Sequence, residues 1–145
     1  MTTDTINAAF EALEREECLR LAASQSVGRL AVTVDDHASP LVVPVNYVLD
    51  RDVVVFRSGP GAKLHALRET PVSFEVDLID ASHRTGWSVL FRGIAYQATD
   101  REVAHLLVEP WAPGDKQHWI RVLPTAITGR SIRLPDVPWE TRGYR

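Results

Sequence analysis

The chain carries one cysteine, Cys18, in 145 residues, which excludes an intramolecular disulfide framework and fits a reducing compartment. It has no apolar run long enough to span a bilayer. Its first residues, MTTDTINAAFEALEREE, are acidic and lack the apolar segment of a secretory signal, so a cytoplasmic protein with no membrane partner is expected. Basic excess is also missing: sixteen Lys and Arg stand against nineteen Asp and Glu, a formal charge of −3. With no basic stripe interleaved with aromatics, nucleic acid is not an expected partner. The five histidines, His37, His65, His83, His105 and His118, never fall at the i, i+4 spacing of a helical metal site. Cys18 has no Cys or His at close spacing either, so no metal is expected. No Ser-His-Asp or Cys-His constellation can be assembled from these spacings, which leaves catalytic residues unassigned. Internal repeats and low-complexity segments are absent as well.

What remains is a composition ordinary for a globular domain, 45% hydrophobic and 24% charged. One domain over 1–145 is expected, with 1–12 and 135–145 peripheral. Helical periodicity over 5–23 places Ile6, Ala9, Phe10 and Leu13 on one face. Cys18, Leu21 and Ala22 resume the stripe in a shifted phase, as a kink or two short helices would produce. Strands are predicted over 26–34, 41–49 and 53–57, the last two joined by a tight Asp50-Arg51-Asp52 turn. A short helix over 61–69 follows, then a strand over 71–79 in which Val72, Phe74, Val76 and Leu78 alternate with Ser73, Glu75 and Asp77. A long strand over 86–99 has Gly93 near its middle, where a bulge or bend is expected. Asp100 is the predicted N-cap of a helix that Pro110 ends. The last strands are 118–123 and 125–134, separated by Pro124. Six or seven strands with few, short helices argue against a doubly wound parallel fold, which needs a helix at nearly every crossover. They point to a mainly β (α+β) chain folded as a closed antiparallel barrel.

The stretch LVVPVNYVLDRDVVVFRSGPGAKL, from Leu41 onward, is the densest in chemistry. Its second β-branched run ends in Arg57 and Ser58, then Gly59, Pro60 and Gly61, with Lys63 at the start of a helical pattern. A guanidinium, a hydroxyl, backbone amides and an ammonium thus gather where a strand gives way to a helix N-terminus, a combination that favours phosphate. The plain alternative is a solvated strand end before an ordinary helix, and GPGAK is not a P-loop, which needs GxxxxGK[ST]. Asn46 and Tyr47, set among valines, are either a polar pair on an edge strand or hydrogen-bonding groups for a ligand. Trp87 reads as a core or interface tryptophan or as a ligand contact.

The ordered series VGRLAV (27–32), PLVVPVNYVLD (40–50), VVVFRSGPGAKL (53–64), PVSFEVD (71–77), GWSVLFRGIA (86–95) and ITGRSIRL (127–134) resembles the pyridoxamine 5′-phosphate oxidase-like family, in its small FMN-binding split-barrel branch. The resemblance covers roughly 13–134. It implies a six-stranded antiparallel split β-barrel with short flanking helices, usually a homodimer with two FMN sites at the subunit interface. It further implies that Val43, Pro44, Val45 and Asn46 run along the isoalloxazine ring, and that Arg57 and Ser58 meet the phosphate with Lys63 as second cation. Leu64 would pack beside the ribityl chain, and Trp87 and Ser88 would approach from the other subunit, with Trp119 a further aromatic wall from the partner. The function implied is a flavin-dependent oxidoreductase acting on a small-molecule substrate. A deazaflavin-dependent reductase and a non-catalytic flavin-binding module are the alternatives. The C-terminal Arg-x-His segment of a true pyridoxamine phosphate oxidase has no counterpart here, where the chain ends ETRGYR.

Overall fold

The computed structural model describes residues 10–33, 39–58, 68–106 and 118–133. Within them run β1 (Phe10–Ala12), α1 (Arg15–Ala23), β2 (Val27–Val32), β3 (Leu41–Asp50), β4 (Val53–Ser58), β5 (Thr70–Asp80), β6 (Thr85–Gln97), α2 (Asp100–Val103) and β7 (His118–Arg133). The strand pairings are antiparallel and follow the order β7-β4-β3-β2-β5-β6, and β6 then pairs back onto β7. The result is the closed six-stranded barrel expected from the sequence. β1 is a seventh strand, added along the edge of β7.

Alternation at period two builds this wall, because successive side chains of a strand take opposite faces. Leu30, Val54, Phe56, Phe74, Val76, Val89, Phe91, Ile120 and Val122 are fully buried inside it. Phe74 stands at the centre, edge-on to Tyr47 with ring centroids 4.8 Å apart and to Phe91 at 6.0 Å. Gly28 makes room for that ring: a Cβ there would lie 2.1 Å from it. Helix α1 contributes Cys18 and Ala22 to the same core. Tyr47 reaches α1 by donating its hydroxyl proton to the Ala22 carbonyl, and burial pushes its phenol above the usual tyrosine range. A smaller cluster outside the barrel, Val53, Val55 and Val103 with Val48, Ala98, Leu106 and Trp119, seats α2 on the wall.

Three local expectations are corrected, and one is met with a refinement. Residues 10–12 are strand, not helix, because they pair with 130–132 of β7; the helix starts at Arg15, and the shifted hydrophobic phase marked that boundary. The N-cap of α2 is Thr99, not Asp100. Its side chain accepts from the Glu102 amide while Glu102 accepts from the Thr99 amide, a capping box. Pro124 does not divide the last strand: between 123 and 128 the pairing partner of β7 among the described residues is β6, so one edge of the strand there tolerates a missing N–H. The bulge expected at Gly93 is present, with the extra residue, Thr125, on the opposite strand: Gly93 faces Pro124 while Arg92 faces Ala126. The expected helix over 61–69 and the tail from 135 lie outside the described residues, apart from Arg68 and Glu69, which precede β5 without helical structure.

Candidate functional site

Val54 and Phe56 point into the barrel, so Val53, Val55 and Arg57 lie on the outer wall of β4. On β3, Val43, Val45 and Tyr47 pack toward the core, which turns Pro44, Asn46 and Val48 outward. The β3–β4 ladder runs from Asp50–Val53 to Tyr47–Phe56, and Asn46 and Arg57 are the next residue of each strand. They are therefore neighbours on the outer wall. Residues 41–44 continue past the last residue of β4, held along one edge by β2.

On its other side Arg57 pairs with Trp119 of β7, and its guanidinium carbon lies 5.2 Å from the indole centroid. That is a cation–π contact. Its Nε is shielded from solvent and has no hydrogen-bond partner among the described residues. A buried donor without an acceptor is costly, and an anionic oxygen is the group that would complete it. The Asn46 amide donates to the Ser26 carbonyl over a long 3.5 Å. This corner can hold an anion on Arg57 and a planar polar group along the overhanging part of β3.

The other expected residues fall in three places. Ser58 follows Arg57 and so points to the opposite face, 3% exposed, paired across the ladder with His118. Lys63 and Leu64 lie outside the described residues. Trp87 and Ser88 sit on the far half of β6, where Ser88 pairs with Arg130, eleven positions along β7 from Trp119. That spacing is about 35 Å of extended strand, so one protomer does not bring them to Arg57. Trp119, expected from a partner, stands beside Arg57 in the same chain.

A second polar group went unread in the sequence. Register places Arg29, Glu75, Leu90 and Thr128 in one row across the outer face of β2, β5, β6 and β7, and Asp77, Ser88 and Arg130 in the next. Arg29 lies 3.8 Å from Glu75 and 3.7 Å from Asp77. Burial pushes the Glu75 carboxyl up to about 7, aided by its hydrogen bond to Asp77 and the charge of Asp77, and opposed by Arg29. A groove of about 330 Å³ is lined by Glu75, Ser88, Leu90, Thr128, Gly129 and Arg130. Alternation along β5 already put Glu75 and Asp77 on one face; the register that adds the two arginines was the missing signal.

Residues 14–131 match the model of a family described as pyridoxamine 5′-phosphate oxidase. Uncharacterized protein Rv0080 of Mycobacterium tuberculosis is 34% identical over 129 residues, which is 83% of this chain and 84% of that one. Among solved structures, the FAD binding protein from Mycobacterium smegmatis is 36% identical with a TM-score of 0.71, covering 85% of this chain and 98% of its own. A putative pyridoxamine 5′-phosphate oxidase from Corynebacterium glutamicum is 29% identical with a TM-score of 0.72, covering 88% and 97%. The FAD and heme binding protein from Mycobacterium smegmatis, 17% identical with a TM-score of 0.61 and covering 91% of this chain and 78% of its own, shares the fold alone.

Proposed function

This chain belongs to the pyridoxamine 5′-phosphate oxidase family, and from that premise we propose that it binds FMN at the corner made by Asn46 and Arg57. It would act as a flavin-dependent oxidoreductase, passing electrons between a reduced nicotinamide or small substrate and a small acceptor. The observation that carries this reading is the buried Nε of Arg57, without a hydrogen-bond partner among the described residues, beside the overhang of β3. The cofactor phosphate is the acceptor that donor lacks among the described residues, with Lys63 close by in sequence to add a second cation, while the Ser58 hydroxyl faces the other side of the strand. Val43, Pro44, Val45 and Asn46 hold the ring along β3, and Leu64 packs on the ribityl chain. The flavin supplies the hydride and electron chemistry when bound. The chain's own residues anchor, orient and enclose it.

Trp87 and Ser88 reach that corner only from a second copy, so the working unit is a homodimer with two equivalent sites. A cytoplasmic setting fits the buried free thiol of Cys18. A second reading, FAD in place of FMN, is favoured by the 36% identical protein described as FAD binding. Fluorescence titration with FMN, FAD, riboflavin and a deazaflavin separates these. FMN tighter than riboflavin by at least about tenfold is expected; equal affinities would overturn the phosphate clamp. A tenfold preference for FAD or the deazaflavin replaces FMN. Nicotinamide oxidation with quinone and nitro-aromatic acceptors then tests turnover, and tight binding without any turnover makes the chain a flavin-binding module.

A further inference from the structure

The outer wall holds a second arginine two residues along β7 from Trp119. Arg121 pairs with Val55 of β4 and with Tyr96 of β6, so it shares the face of the Trp119 ring and the Arg57 guanidinium. Its side chain is only 16% exposed, and three elements close on it. Nη1 donates to the Tyr96 hydroxyl and to Oε2 of Glu102, half of the α2 capping box. The guanidinium carbon lies 5.7 Å from the Tyr96 ring centroid. Nη2 stands 4.0 Å from the carboxylate of Asp50 at the end of β3, whose other oxygen is 3.3 Å from Nε2 of His105. The Nε of Arg121, like that of Arg57, lacks a hydrogen-bond partner among the described residues. The carboxylates set the two apart. Glu102 and Asp50 offset the charge of Arg121, which makes it a tether rather than a second anion site.

The tethers bracket the apolar cluster to which Trp119 belongs. Val103 and Leu106 pack in that cluster, and the residues just before them, Glu102 and His105, carry the links to Arg121 and Asp50. The Leu106 amide donates to the Val103 carbonyl over 2.9 Å and closes one turn. A helix of four residues cannot hold itself in place by its own hydrogen bonds, so α2 depends on these contacts. Removing one partner of a mostly buried ion pair leaves the other uncompensated and frees the segment. Resting on the flavin reading above, we propose that Arg121 and Glu102 are positioning residues of the phosphate clamp. They seat α2 against the Trp119 cluster, and the seated ring holds the Arg57 guanidinium toward the bound phosphate.

Fluorescence titration with FMN and riboflavin tests this on the parent, Arg121→Met, Glu102→Ala, Trp119→Leu and the two double variants that carry Trp119→Leu, with circular dichroism to confirm folding. Arg121→Met and Glu102→Ala are each expected to weaken FMN by about two- to fivefold, the worth of the ring contact they support, and to leave riboflavin unchanged. In the Trp119→Leu background neither is expected to cost more, because the route passes through the ring. Charge acting through space predicts the opposite sign at Glu102, where losing an anion favours a phosphate; tighter FMN in Glu102→Ala overturns the proposal. Unchanged FMN affinity, equal loss of FMN and riboflavin, or losses that add to that of Trp119→Leu overturn it as well, while the clamp at Arg57 stands. A parent that binds FMN no tighter than riboflavin overturns the clamp and this proposal together. If either variant fails to fold, Leu106→Ala, which trims the same cluster, is expected to weaken FMN alone and overturns the proposal if it does not.

Discussion

The two ends of β7 each hold an arginine over an aromatic ring, and they differ in what else stands near it. At the His118 end, Arg57 lies over the Trp119 ring, and no carboxylate among the described residues takes its Nε. At the Arg133 end, Arg130 shares a groove with Glu75, and Asp77 completes its row. An aromatic face fixes a guanidinium without neutralising it, whereas carboxylates nearby offset its charge. On the proposed reading the first end keeps its charge for the cofactor phosphate. The second sets charges of both signs on one face.

Removing the support common to both ends should have the largest effect. Phe74 packs on Tyr47 of β3 and Phe91 of β6, so Phe74→Ala should cost about 3–5 kcal/mol by denaturant unfolding and take both regions with it. A loss under half that size would mean the regions do not depend on a shared core. Next comes Arg57→Ala, which should weaken FMN by about tenfold to a hundredfold, the worth of one charge-assisted contact. Riboflavin should bind this variant as it binds the parent, and equal loss of both ligands would make Arg57 structural. Trp119→Leu keeps an apolar side chain and removes the ring, so FMN should weaken by only about two- to fivefold. No change there would mean that the ring does not hold the guanidinium in place.

The smallest effect is a pH slope at the other end. The Glu75 pKa is raised in the folded state, from 4.5 to about 7, so the folded protein holds that proton more tightly than the unfolded chain. Its contribution is fully present below about pH 4.5 and is lost as pH rises through about 7. Glu75→Gln should therefore flatten the stability profile over that window and exceed the parent at pH 8, by less than about 1 kcal/mol because solvent screens the half-exposed group. Parallel profiles for parent and variant would remove Glu75 as the source.

Most of the wall was legible because its signal is local. Val72, Phe74 and Val76 alternate with Ser73, Glu75 and Asp77 whatever their partners are, and Gly93 announces its irregularity by lacking a side chain. Arg57 was legible for the same reason, as a cation closing a β-branched run. The errors fall where pairing across the chain decides. Three residues cannot declare themselves a strand, so Phe10–Ala12 became one only through 130–132. Pro124 reads as a break until its strand is seen to pair on one side there. The facing of Ser58 away from Arg57, and the meeting of Arg29, Glu75, Asp77 and Arg130, follow from register, which no single strand encodes.

The bulge at Thr125 has a consequence for the chemistry of the whole surface. β7 is one strand read in two phases. Before the bulge the even positions, Ile120 and Val122, face the core; after it the odd ones do, Ile127 against the core and Gly129 where a Cβ would stand 2.6 Å from the Cys18 sulfur. Were Thr125 instead taken into the ladder, with no bulge, the second phase would vanish: Thr128 and Arg130 would turn inward and Ile127 outward. A guanidinium would then press on the buried thiol. One unpaired residue decides which side of this barrel carries charge.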